Sequence, residues 1–286
     1  PSDSEFLHTL PQEYLVDRQR GISDPVGMTG TRLEVDVCIV TMSSSVAQNM
    51  RKAIERAGYA ISGFVLEPLA AASATITEDE RELGVALVEI GGGSTNLAVF
   101  HDGKFRHVAT VGFAGGAVTS DIAQGLSVTQ SDAESLKEKY GLAYEPMVDP
   151  AEMIEIPGTG GQGPRTVQRE LLAHIIHMRL EEVLAMVSRE IERAGYAGKL
   201  AAGVVLTGGT AQLRGAVELA REVFAMPVRI GQPGRFLAGS LVDHVEQPRF
   251  STATGLAFYG MMEQAKGAEK AGAGSLTLDR LSGSVR

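Results

Sequence analysis

The run Val88-Glu89-Ile90-Gly91-Gly92-Gly93-Ser94-Thr95-Asn96 gathers residue types that handle phosphate and a hard cation. A carboxylate stands near the end of an apolar stretch, Val85 to Ile90, and three glycines and two hydroxyls come after it. Consecutive glycines give up side-chain packing and cost backbone entropy. They are easiest to explain where something approaches the main chain closely, and exposed N–H groups beside hydroxyls suit phosphate oxygens. The chain continues as Leu97-Ala98-Val99-Phe100, turns at Asp102-Gly103 and returns from Lys104 to Val111. Asp-Gly between apolar runs is a strong hairpin signal. This predicts a phosphate-cradling turn inside a β-sheet. It is not a strand–loop–helix P-loop, since no G-x-x-x-x-G-K-[ST] occurs. A glycine-rich hairpin with no ligand is the plain alternative.

Other groups have simpler readings. Thr207-Gly208-Gly209-Thr210 is a second glycine turn, after the strand Ala201 to Leu206. Pro157 to Pro164 is glycine-rich, but it lacks the subsequent Lys-Ser/Thr, so it reads as a loop. None of the six histidines has metal-ligand spacing. Cys38, the only cysteine, lies in the strand pattern Val35 to Val40, where a structural thiol is expected. One cysteine also excludes a disulfide framework.

These groups sit on a chain of 286 residues, 44% apolar and 21% charged, long enough for two cores. The net charge of −9 excludes a general nucleic-acid surface. No apolar run approaches the ~20 residues of a membrane span. Strands are predicted at Phe6–Leu10, near Tyr14–Val16 beyond Pro11, at Val35–Val40 and at Phe64–Leu66. A helix starting between Thr41 and Ser45 carries the stripe Val46, Met50, Ala53, Ile54, Ala57 and ends at Gly58. An Ala-rich helix covers Leu69–Thr75, and Thr77–Glu82 reads as an acidic connector. Helices are predicted from about Thr119 to Gly125 and from Thr129, a plausible cap, to Tyr140. A short strand spans Met153–Ile156. Thr166–Ala194 is the longest helix, with Leu172, Ile176, Leu180, Val183, Val187, Ile191 and Ala194 in one stripe. After the second glycine turn come a helix Ala211–Phe224, a strand Pro227–Ile230 and a small-residue helix Thr252–Met262. From Ala265 the composition is that of a linker. Ile54 to Tyr59 recurs as Ile191 to Tyr196, either by chance or through two similar halves.

Together the segments resemble the actin-like ATPase superfamily, and within it the FtsA family of bacterial cell-division proteins. Leu10 to Asp17, Pro25 to Glu34, Val65 to Ala71, Glu89 to Asn96, Thr119 to Ala123 and Leu206 to Ala211 carry the resemblance. It implies an α/β fold of actin-like (ribonuclease H-like) type, with mixed sheets flanked by helices and an incomplete first half. Residues 1–60 would be part of subdomain 1C and 61–82 the returning part of 1A. Residues 83–126 with 201–264 would form 2A, 127–200 would form 2B, and 265–286 would be a flexible linker. The resemblance also implies a further phosphate hairpin before Pro1 and an amphipathic membrane-binding helix after Arg286, so the chain is expected to be a fragment. Half of the nucleotide clamp would then be missing, which implies weak nucleotide affinity and exposed sheet edges.

The resemblance further implies a site for ATP and Mg2+ between the two halves. Gly91, Gly92 and Gly93 with Ser94 and Thr95 would hold phosphate oxygens. Glu89 would hold Mg2+ through water. The usual residue there is Asp, and Asn96 replaces a usual second Asp. Gly208 and Gly209 would pass the adenine and ribose. Gly115 and Gly116 would approach the phosphates or ribose, with Asp121 anchoring their turn. Lys137 and Glu138 lie where such folds reach the sugar; an exposed charged helix face explains them equally well. Glu67 matches the acid that orients attacking water, or is a strand-end carboxylate before Pro68. The Glu and Asn argue for binding and switching, with weak ATPase activity at most. Implied partners are a second copy, the acidic C-terminal tail of the tubulin-like division protein FtsZ, later division proteins and the inner membrane at the division site. The fragment itself would be soluble and cytoplasmic. Arg165, Arg169 and Arg179 are the candidates for pairing with the tail's carboxylates, against the alternative of a solvated helix face. Two other readings stay open: a PilM-like pilus-assembly protein, and a sugar or acetate kinase of the same superfamily.

Overall fold

The computed structural model describes residues 3–158, 161, 163–236, 245–262 and 264. The predicted linker from Ala265 lies outside the described residues. Three antiparallel strands open the chain: β1 (Ser4–Val16), β2 (Gln19–Ile22) and β3 (Leu33–Ser43), in the order β2-β1-β3. The sequence predicts a break at Pro11, yet β1 is continuous. Its register with β3 slips between Pro11 and Glu13, and β2 pairs only from Tyr14 onward. A bulge beside a free edge tolerates a residue with no N–H. Helix α1 (Ser44–Arg56) comes next. Val46 and Met50 of the predicted stripe are exposed, and Ala47 is the buried residue instead.

The repeated hexapeptide encodes a helix ending. Gly58 and Gly195 both have positive φ, +86° and +76°. Tyr59 N donates to Ile54 O and Gly58 N to Glu55 O; Tyr196 N donates to Ile191 O and Gly195 N to Glu192 O. This is the Schellman pattern, which asks for glycine at the left-handed residue. The segments after the two copies differ. No strand forms at Phe64–Leu66, because no described strand runs beside it to complete a ladder.

Helix α2 (Glu67–Thr75) leads into α3 (Glu78–Leu83), a helix where the sequence reads as a connector. Thr77 and Glu80 form a full capping box, so the early carboxylates lie at the positive end of the helix. The main sheet contains β4 (Val85–Ile90), β5 (Thr95–His101), β6 (Lys104–Val111), β9 (Gly203–Thr207) and β10 (Val228–Ile230). Its order is β10-β9-β4-β5-β6. β9 runs parallel to β4 and β10 parallel to β9, whereas β5 is antiparallel to β4 and β6 antiparallel to β5. Asp102 and Gly103, both with positive φ, close the β5–β6 hairpin as the sequence predicts. Between β6 and β9 lie α4 (Gly115–Gly125), α5 (Gln130–Tyr140), the hairpin β7 (Met153–Ile156) and β8 (Arg165–Gln168), and α6 (Arg169–Arg193). α7 (Ala216–Phe224) precedes β10, and α8 covers 251–262.

The sheet buries both faces. Ala86, Val88 and Ile90 of β4 enter a large core shared with α4 to α7. Val85 and Leu87 point into a smaller core with Ala71 and Ala72 of α2. Most of the predicted α6 stripe is buried, from Leu172 to Ile191, each large side chain contributing about 1.5–3 kcal/mol. The helix begins at Arg169, later than predicted, since Thr166 and Val167 pair with β7. Leu10, Cys38 and Val40 of the small sheet pack against the smaller core. His8 ties the same sheet to α2: its Nε2 accepts from Leu66 N at 3.0 Å, and burial pushes the imidazole pKa down, favouring the neutral acceptor. On the outer side, Val35, Val37 and Ile39 of the edge strand β3 are exposed.

Candidate functional site

A cleft of about 710 Å³ opens where the β4–β5 turn, the end of β9, α5 and the start of α4 meet. Gly91, Gly92, Gly115, Gly116, Lys137, Glu138, Arg169 and Gly209 line it. The sequence names all eight. Its glycines differ in what they touch. At Gly208 φ is +91°, and a Cβ would fall 2.4 Å from Ile90 O. A Cβ at Gly115 would meet Thr210 Oγ1 at 2.3 Å, and one at Gly116 would meet Gly92 O at 2.9 Å. Gly92 and Gly93 have open space within 4 Å and no left-handed backbone. Gly209 is helical in backbone, and its Cβ would find only Arg249 Cβ at 3.9 Å.

The turn is braced from within. Gly91 N donates to Ser94 O, and Gly115 N and Gly116 N donate to the carbonyls of Gly91 and Gly92. The first N–H groups of α4 therefore close onto the turn instead of facing the cleft. Thr210 Oγ1 donates to Gly91 O at 2.8 Å. Thr95 is fully buried, and its hydroxyl donates to Phe113 O at 2.8 Å, so it shapes the turn from within. Asp121 does not anchor this turn; it pairs with Arg179 at 2.5 Å.

Lys137 is buried, and its Nζ donates to Gly115 O at 3.2 Å, Thr119 Oγ1 at 2.8 Å and Glu134 Oε2 at 2.7 Å. An ammonium has three protons, so all its donors are engaged: two hold α5 to α4, and the third pairs with Glu134 one turn away on α5 itself. Glu138 is exposed at the rim.

On the opposite face of the sheet, Glu89 lies across from Asn96 in register. Glu89 is 6% exposed. Its Oε1 accepts from Thr252 Oγ1 at 2.5 Å, and its buried Oε2 has no hydrogen-bond partner among the described residues. Burial pushes its pKa up to about 7; the Thr252 bond opposes the rise and the Glu67 charge adds to it. Glu67 begins α2, is exposed, and accepts from Asn96 Nδ2 at 3.0 Å. Asn96 Oδ1 accepts in turn from Thr110 Oγ1 at 2.9 Å. An Asp at 96 would set a third carboxylate against Glu67, so the amide has a local reason.

The three arginines are engaged inside the molecule. Arg165, on β8 and not on the helix, donates to Leu126 O at 2.5 Å. Arg169 donates to Tyr140 O at 2.9 Å and Glu152 Oε2 at 2.6 Å. Arg179 bridges Asp121 and Glu182. Sequence reasoning also misses Thr210, Thr252 and Arg249; Arg249 lines the cleft beside Gly209 and stacks 4.9 Å over the Phe250 ring.

A mixed five-stranded sheet of this order, with glycine turns after β4 and β9, defines an actin-like fold. MreB5 of Spiroplasma citri bound to ADP superposes with a TM-score of 0.63 at 16% identity, covering 79% of this chain and 68% of that one. The PilM-PilN type IV pilus biogenesis complex gives 0.66 at 17%, covering 91% and 67%. The family model for cell division protein FtsA matches residues 86–255, and that for the SHS2 domain inserted in FtsA matches residues 1–41. The chain belongs to the FtsA family. It is 42% identical over 275 residues to cell division protein FtsA of Pseudomonas aeruginosa, covering 96% of this chain and 66% of that protein. For the Escherichia coli K12 protein the values are 42% over 265 residues, 90% and 63%. The chain thus spans slightly under two thirds of the length of these relatives.

Proposed function

We propose that the chain is the larger part of an ATP-binding, self-associating division protein that tethers the FtsZ ring to the membrane. The carrying observation is at Gly92, Gly93 and Gly209. Gly92 and Gly209 line the cleft, Gly93 is the next residue of the same turn as Gly92, and neither backbone angle nor packing calls for glycine at any of the three. A ligand that comes against the main chain supplies the missing reason. In this reading Gly92, Gly93 and Ser94 meet phosphate oxygens through N–H and hydroxyl groups, Gly91 closes the turn through its bond to Ser94 O, and Gly209 passes the base and ribose. Lys137 holds the wall, and Glu138 stands at the rim. Residues 1–60 serve as subdomain 1C, 61–82 as the returning part of 1A, 83–126 with 201–264 as 2A, and 127–200 as 2B.

The residues also fit Mg2+. Glu89 offers a buried carboxylate oxygen with no protein partner among the described residues, and a carboxylate is a hard ligand for a hard cation. Bound there, the cation would neutralise phosphate charge. Glu67, held by Asn96, is the candidate to orient water. FtsZ's acidic tail would meet Arg165 and Arg179 at the surface of 2B, while Arg169, 13% exposed in its side chain, serves as an internal clamp.

The test is thermal unfolding of the full chain with millimolar ATP and Mg2+, paired with titration of an FtsZ tail peptide. ATP is expected to raise the midpoint, and Arg165→Glu to weaken the peptide. No shift with ATP overturns the nucleotide reading; unchanged peptide affinity removes Arg165 from the tail site.

A further inference from the structure

Thr252 stands in the first turn of α8, far along the chain from the glycine turn, and donates to Oε1 of Glu89 at 2.5 Å. A carboxylate turning about its last torsion presents two equivalent oxygens. The hydroxyl removes that equivalence. Oε1 is taken, and Oε2 stays buried with no partner among the described residues. Asn96, the register partner of Glu89, is not free to do this job. Its nitrogen donates to Glu67 and its oxygen accepts from Thr110.

The hydroxyl is itself held in place. A Cβ at Gly255 of α8 would fall 1.8 Å from Ala70 O of α2, so the two helices touch backbone to backbone. Ser73 Oγ of α2 donates to Gly255 O at 3.2 Å across the same contact. α8 therefore cannot slide without disturbing α2, and α2 begins at Glu67.

We propose that Thr252 is a positioning residue for the divalent cation that accompanies nucleotide phosphates. It fixes Glu89 so that Oε2 is the oxygen offered to the hydrated ion, and it links the placement of α8 to the phosphate turn. The inference rests on the nucleotide reading of the cleft. A partner that orients a metal-binding carboxylate is commonly worth tenfold or more in metal affinity.

ATP binding to the full chain is titrated across a Mg2+ series and again in EDTA, for wild type, Thr252→Val and Thr252→Ser. Thr252→Val is expected to raise the Mg2+ concentration for half-effect by about tenfold, with affinity in EDTA unchanged, and Thr252→Ser to restore the wild-type curve. A Thr252→Val curve that overlays wild type overturns the inference. So does Thr252→Ser behaving like valine, or an equal loss in EDTA, since either marks a packing role. Failure of wild type to bind ATP under any condition overturns the nucleotide reading, and this inference with it.

Discussion

At Gly208 a side chain would strike the Ile90 carbonyl, and the backbone is left-handed; at Gly92 and Gly93 a side chain would strike nothing, and the backbone is ordinary. Both sets belong to the two glycine turns that meet at the cleft. Gly208, Gly115 and Gly116 are glycine because β9 and α4 must press against the β4–β5 turn. Gly92 and Gly93 are glycine with no internal cause. The same division runs through the polar groups. Lys137, Thr95 and Thr210 spend their donors on the protein. Glu89 Oε2 does not find a partner among the described residues. One part of the site makes the frame; the other has no role inside the chain among the described residues, and in the proposed function it serves a ligand.

The comparison breaks most severely at Gly208. Gly208→Ala forces an alanine into the left-handed region and a methyl into a carbonyl. The two penalties together are about 3 kcal/mol, which lowers the melting temperature by roughly 6–12 °C. Differential scanning calorimetry measures it. A variant that melts with wild type would show that the turn relaxes freely and that its glycine is not framework.

Glu89 comes next, and here pH is the lever. Its folded pKa of about 7 lies above the ordinary 4.5. Between those values the unfolded chain has released a proton that the folded chain keeps. The stability contribution is therefore fully present below pH 4.5 and is lost as pH rises through 7. The span corresponds to about 3 kcal/mol. In EDTA, the stability difference between Glu89→Gln and wild type is expected to move by that amount in favour of Gln from pH 4.5 to 8. A flat difference in urea titrations across this range would mean that Glu89 is solvated and unable to serve as the waiting ligand.

The frame was more legible in the sequence than its bracing. β4 to β6 announced themselves through an apolar run, three glycines and Asp102-Gly103. α6 showed its stripe. β2 and β8 are four residues each and mostly exposed, so neither leaves an alternation to read. α3 was hidden by its acidity, although Thr77 and Glu80 carried a capping signature. The site residues nearest the turn were legible because they are contiguous. Thr210 and Thr252 were not, because they reach Gly91 and Glu89 from 119 and 163 residues away. Nor does spacing reveal that Lys137 and Arg169 point their donors inward, since that depends on where helices α4 and α5 dock.

The smallest expected effect on stability is the one that sharpens the comparison. Gly92→Ala and Gly93→Ala add a methyl to open space at ordinary backbone angles. Replacing glycine also reduces the freedom of the unfolded chain, which favours the folded state slightly. Each variant is therefore expected to melt within about 0.5 kcal/mol of wild type. A phosphate that rests on the main chain would meet that methyl directly, so ATP affinity is expected to fall while the fold is untouched. Calorimetric titration beside the melting curve separates the two. Loss of both together would put Gly92 and Gly93 with Gly208, as framework. Loss of neither would leave the turn a hairpin without a ligand. Only unchanged stability with weakened binding fits a surface kept bare for a phosphate.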